Sequence, residues 1–257
     1  MYYSDKENFD SEYKYYRDNS NLDKNSKSEI IQFNLNKLNE EFYDTVLKEH
    51  SVQNESEFLR NLFLRYISNP RHIREKIVFA NIVKSIDLAM KEKKKISIKF
   101  NGTIRTINPY FIQTASEEDR DYLFCFCEYN QEHRNYRISN IISTSISSQT
   151  MEHHNMEYIE KIQKNFDAFL SYEKKVVIKI NDAGKTLYDR IILNKPKILE
   201  TNNDIWTLQC SNMLAKVFFP QFLSNVEILE PIELRVWFEN EFGKAVDIYR
   251  DKCKSKI

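Results

Sequence analysis

Glycine is nearly absent from this chain: only Gly102, Gly184 and Gly243 occur in 257 residues. Loops that cradle phosphate with successive backbone N–H groups need several glycines at short fixed spacing. Only glycine lets the backbone turn and approach that closely. Three isolated glycines supply neither a P-loop nor a dinucleotide fingerprint, which removes those two readings and disfavours nucleotide-fold enzymes. Hydrophobic residues make up 41% and charged residues 30% of the chain, as in globular proteins, and its length can bury a sizeable core. The 38 basic residues balance the 38 acidic ones. That argues against a protein coated in basic charge but leaves room for a local basic strip.

Four scattered cysteines (Cys125, Cys127, Cys210, Cys253) show no CxxC or metal-finger spacing and fit reduced thiols. Cys125 and Cys127 share one face of an apolar strand and read as inert. His153-His154 has no metal-ligand partners at useful spacing. The residues imply no metal and no cofactor. No group with a plausible catalytic partner stands out, so the expectation is a non-enzyme with no catalytic residues. No apolar run approaches the roughly 20 residues that span a bilayer, and residues 1–29 are too polar for a secretory signal. A cytoplasmic protein with no membrane partner is expected.

Periodicity divides the chain. Residues 1–29 are rich in Asp, Asn, Ser and Lys and read as a disordered tail, carrying Tyr2, Tyr3, Tyr13, Tyr15 and Tyr16. Residues 30–35 alternate, with Ile31, Phe33 and Leu35 on one face, and predict a short strand. A helix follows over 39–50. Asn54 with Glu57 starts a second in capping-box manner, ended by Asn69-Pro70. One helix is predicted from Arg71 to about Lys93, with Ile73, Ile77, Ala80, Val83, Ile86 and Met90 as its stripe. Seven lysines and two acidic residues lie between 76 and 100, making this the basic stretch. Part of it, Lys91 and Lys93 to Lys95, suits a helix C-terminus without any ligand.

Period two returns over 96–150. Ile96 to Phe100 reads as a strand closed by Asn101-Gly102, a hairpin pair. Further strands follow near Ile104 and Pro109 to Ile112, at Tyr122 to Cys127, at Tyr136 to Ile138 and at Ile141 to Ile146. Five or so short strands predict a small barrel or curled sheet. Beyond it come a helix over 157–170, a strand at 175–180, a helix near 183–193, a hairpin across 197–210, a helix over 212–224, a strand at 226–229 and a terminal helix opened by Pro231. That order suggests a small α+β sandwich.

A strand–helix–helix of about 40 residues is too small for its own core and leaves a strand with unpaired edges. Both problems vanish if two copies pair. Gln32-Phe33-Asn34-Leu35 and Ser56-Glu57-Phe58-Leu59 resemble the strand and second-helix start of ribbon-helix-helix domains. The resemblance implies a homodimer whose ribbon enters a DNA groove. Gln32, Asn34 and Asn36 would then read bases, and Lys37 would flank them. The backbone near Asn54 and Ser56 would hold phosphate.

From Ile82 to Ile141 the ordered segments are similar to the WYL domain: a helix, a strand ending in Phe100, Arg105 ahead of Pro109, Asp121-Tyr122-Leu123, and Arg134-Asn135-Tyr136-Arg137-Ile138-Ser139-Asn140-Ile141. The family's Trp is Asp121 here, and its Asp-Arg is Ser139-Asn140. The stretch from Val176 through Trp206 to Pro231-Ile232-Glu233-Leu234-Arg235 resembles the extension that follows WYL domains. This resemblance implies an SH3/Sm-like β-barrel at 96–150, a C-terminal α+β extension at 151–257 and a positive ligand pocket. Carried over by residue, that pocket is Arg105, Tyr122, Arg134 and Arg137. The expected organisation is α+β: tail at 1–29, ribbon-helix-helix at 30–69, helical connector at 70–95, barrel and extension. It implies a dimeric transcriptional regulator binding DNA or sensing a nucleotide-like ligand. The same pairing also resembles accessory proteins of type VI-D CRISPR ribonucleases. There the partner is single-stranded RNA or the CRISPR effector complex, with Lys93, Lys94 and Lys95 beside Phe100 and Tyr122 as the contact.

Overall fold

The computed structural model describes residues 35–254. The expected tail at 1–29 and all but the last residue of the strand expected at 30–35, with Gln32 and Asn34, lie outside the described residues. The chain divides into two compact units, Met1–Arg74 and Glu75–Ile257.

The described part of the first unit holds α1 (Lys37–Glu49) and α2 (Glu55–Ser68). Each starts on an asparagine whose side chain satisfies an orphan N–H of the first turn. Asn36 Oδ1 accepts from Asn39 N at 2.9 Å, and Asn54 Oδ1 accepts from Glu57 N at 3.0 Å. Tyr43 donates to Glu55 at 3.1 Å and packs on Phe58, tying the helices together. α2 buries no residue.

The single helix predicted from Arg71 is two, α3 (Arg71–Val78) and α4 (Ala80–Lys91), broken at Phe79. The break separates two apolar surfaces. Ile77 and Val78 are exposed, whereas Ile86 and Ala89 are fully buried against the sheet that follows. An unbroken helix would hold both sets in one register, so Phe79 frees α4 to turn its stripe inward.

That sheet is antiparallel: β1 (Lys94–Phe100), β2 (Thr103–Ala115), β3 (Arg120–Cys127), β4 (Glu132–Arg137) and β5 (Ile141–Thr150), in the order β4-β3-β2-β1-β5. Asn101 and Gly102 both have φ > 0, as a two-residue hairpin turn of this hand requires. β2 runs unbroken through Pro109, where the sequence suggested two pieces. A register shift between Pro109 and Phe111 accommodates the missing donor as a bulge. β4 and β5 do not pair, so the sheet stays open and the expected closed barrel is not formed among the described residues. Closure is not needed for burial here. One face is filled by α4 against Ile96, Ile98, Ile107, Leu123, Cys125 and Tyr136. The other is covered by α5 (Met156–Lys164), whose Ile159 and Ile162 pack with Phe111, Phe124 and Leu170. Cover on both faces explains why Asp121 to Cys127 are all buried.

The C-terminal layer begins with β6 (Lys175–Ile180), α6 (Asp182–Arg190), β7 (Lys197–Asn202) and β8 (Ile205–Gln209). It continues with α7 (Asn212–Phe218), a 3-10 turn (Phe219–Asn225), β9 (Val226–Glu230) and α8 (Ile232–Lys254). Its sheet is antiparallel in the order β7-β8-β6-β9. The helix expected over 212–224 ends at Phe218, because Pro220 cannot continue the α-ladder. At Gly184 a Cβ would sit 2.7 Å from Asn225 O and from Ile180 Cγ1, so only glycine lets α6 approach. Tyr188, Trp206, Phe218, Phe219, Phe222 and Phe238 dominate this core. Among the described residues the architecture is mixed α+β, with two antiparallel sheets and eight α-helices. No helix among them is long and apolar enough to cross a membrane.

Candidate anion and nucleic-acid sites

Tyr122 on β3 and Arg137 at the end of β4 are direct cross-strand partners, so their side chains share the face that α5 covers. Arg137 donates from Nε and Nη2 to the Tyr122 hydroxyl at 3.2 and 2.9 Å, with its guanidinium 5.6 Å from the ring centroid. The third member is Glu118, in the turn between β2 and β3. Its Oε2 accepts from Arg137 Nη2 at 2.7 Å and from the Tyr122 hydroxyl. Burial, and then the Glu118 carboxylate, push the Tyr122 hydroxyl up to about 12, so it is a protonated donor. Burial opposes the charge on Arg137, but Tyr122 and Glu118 outweigh it and hold the guanidinium above its ordinary value. Chemically this is a fork of anion donors with the protein's own carboxylate seated in it.

Arg105 and Arg134 lie elsewhere. Arg134 and Arg137 are three residues apart on one strand, so alternation puts them on opposite faces. The spacing carried that signal in the sequence. Arg105 Nη1 donates to the Tyr136 hydroxyl at 3.2 Å and to Asn130 at 3.0 Å. Its guanidinium stands 5.8 Å from the centroids of Phe100, Tyr129 and Tyr136. The hydrogen bond it donates to Tyr136 raises its pKa and outweighs burial, which opposes the charge. Arg134 is paired with Glu132, Nε to Oε1 at 2.7 Å. The four residues of the expected pocket therefore form two separate clusters, Tyr122 with Arg137 and Arg105 with Tyr136, and Arg134 stands outside both.

Of the basic run, Lys95 is buried and bonded to Glu152 at 2.7 Å and to Glu128, which hold its pKa up. Lys94 pairs with Glu92 at 2.7 Å, and Lys93 is an exposed turn residue with φ 53°. Asn36 and Asn54 have their side-chain oxygens committed as helix caps. Lys37 and Ser56 are exposed in the first turns of α1 and α2.

Sequence reasoning missed Glu118 because a turn carboxylate reaches the fork only through the β2–β3 register. It also missed what Asp121 and Ser139 do here. Asp121 is buried. It accepts from Thr114 at 2.6 Å and pairs with Lys76 at 3.3 Å. Next to it Arg120 bonds Glu75 at 2.6 Å and Ser139 at 3.2 Å. These contacts hold the end of α3 against β3.

No family model matches the sequence, and no curated protein matches it either. Among solved structures the chain is similar to a crystal structure described as a CRISPR Cas-related protein. The TM-score is 0.58 at 16% identity, over 96% of this chain and 74% of that one. It also matches proteasome accessory factor B/C of Arthrobacter aurescens, at TM-score 0.32 and 17% identity over 61% of this chain and 25% of that one. The first likeness establishes a common fold along nearly the whole chain. The second is too slight to establish one.

Proposed function

We propose that this chain is a non-enzymatic accessory protein of a CRISPR system that binds single-stranded nucleic acid. The observation that carries the reading is the Tyr122–Arg137 fork, an anion-gripping pair held in place by strand register and occupied by Glu118. An incoming phosphate replaces that carboxylate on the same donors. The fold shared with a CRISPR Cas-related protein supports the setting. The buried thiols are held protonated, since burial pushes Cys125 well up and Cys210 up to about 12, so they are poorly suited to act as nucleophiles.

A second reading, a dimeric operator-binding regulator, draws on α1 and α2. Their Phe42, Phe63 and Ile67 are 63%, 66% and 62% exposed, which calls for a second copy of the chain. Fluorescence anisotropy with labelled single-stranded RNA, single-stranded DNA and random duplex DNA, at low and high salt, separates the two. Tight single-strand binding that Arg137→Ala weakens at least about tenfold is the expected result. Preference for duplex supports the operator reading, and binding to none of the three overturns both.

A further inference from the structure

We infer that the groove between β4 and the C-terminal layer is the track for the phosphodiester chain, a second site apart from the Tyr122–Arg137 fork. The inference rests on the single-strand-binding reading. The groove has a volume of about 670 Å³, the size of a ligand site. Its cations come from three separate segments: Arg134 on β4, Lys174 and Lys175 at the entry to β6, and Lys216 on α7. Lys216 suits the C-terminal turn of α7, but the three segments are distant in sequence and the fold brings them together. Glu132 is the one carboxylate in the lining, so four positive charges face one negative in a chain that is neutral overall. His133 adds no charge, because burial holds its ring below the ordinary value.

The rest of the lining suits a strand of nucleotides. Met213, half exposed, and Phe169 offer apolar faces beside the cations. Lys216 borders the groove with its ammonium over the Trp237 ring, Nζ 4.7 Å from the centroid, a cation–π contact from which an incoming phosphate draws it. The side-chain oxygen of Asn135 is a buried acceptor without a hydrogen-bond partner, while its amide nitrogen donates to Asp167 O and Ala168 O. A base amine or a 2′-hydroxyl supplies the missing donor. β4 pairs on one side only, so its outer edge keeps backbone groups available. An acidic peptide would use the lysines but not this combination of apolar faces and buried acceptor.

The test uses the full chain, a labelled oligouridylate, and a variant carrying Lys174→Gln, Lys175→Gln and Lys216→Gln. Each phosphate neutralised on a single strand contributes about 0.7 to the slope of log affinity against log salt, so the variant's slope falls by about 2. Its affinity falls at least tenfold at low salt. If the wild type binds RNA and the variant matches it in affinity and slope, the groove assignment fails while the single-strand reading stands. If the wild type binds no RNA, both fail. If poly-glutamate competes as well as RNA, the partner is an acidic protein surface and the assignment is overturned. Should the variant lose its fold, lysine-directed crosslinking of RNA to the wild type decides. Adducts at Lys174, Lys175 or Lys216 uphold the groove, and adducts only elsewhere overturn it.

Discussion

At the scale of single residues, His133 ties the sheet's covered face to pH. Its ring is stacked on Phe124 with centroids 5.5 Å apart, and Nε2 donates to the His154 carbonyl at 3.0 Å. Burial favours the neutral ring. The neighbouring His154 and Lys174 add to the drop, and the hydrogen bond to the His154 carbonyl opposes it. A histidine held below its unfolded value of about 6.5 binds fewer protons folded than unfolded. Stability is therefore full at higher pH, falls as pH drops below about 6.5, and is fully lost to this group once pH passes its folded value. Thermal unfolding is expected to give a lower melting temperature near pH 5.5 than near pH 7.5, with a smaller difference in His133→Gln. An unchanged difference in the variant would remove the assignment. Single residues also mark the limit of legibility. The strand positions of Tyr122 and Arg137 follow from alternation. The turn carboxylate that occupies them depends on a pairing that no local pattern states.

At the scale of elements, the strands were legible because their alternation is enforced by burial, as in Lys175–Ile180, where the predicted and observed bounds coincide. The break between α3 and α4 was not. Phe79 is neither glycine nor proline, and the stripe continues across it, so only the demand of the sheet for Ile86 and Ala89 separates the helices. The docking of α5 is likewise a tertiary fact, carried by the aromatic cluster around Phe124. That ring is fully buried and stacks on Phe111 with centroids 4.9 Å apart. Phe124→Ala removes the ring from beneath Ile159, Ile162 and Leu170 and leaves a cavity, at an expected cost of about 3–5 kcal/mol in urea unfolding. A loss below about 1 kcal/mol would show that α5 does not close this face. Arg134→Ala, on the opposite parity of the neighbouring strand, serves as the control because its partner Glu132 is exposed.

At the scale of the whole molecule, the order of elements was readable, but the choice between a barrel and a curled open sheet was not, since closure depends on whether the edge strands β4 and β5 meet. The dimer is a matter of the same scale. Within α1 and α2, Phe42, Leu62, Phe63 and Ile67 are between 49% and 66% exposed. Fully burying each such side chain is worth about 1.5–3 kcal/mol, and among the described residues α2 buries none of its own. A second copy placed on this face removes the same residues from water on both chains, as an isologous contact requires. Light scattering should then give twice the 30.9 kDa chain mass. Phe63→Asp with Ile67→Asp should give the single mass, because two carboxylates at the contact cannot be desolvated without partners. The Phe124-centred core of the second unit should melt as before in that variant. A wild type at the single mass at micromolar concentration would overturn the dimer. A double variant that stays at twice the mass would move the contact off α2, leaving the exposed faces of the C-terminal layer to be mutated in turn.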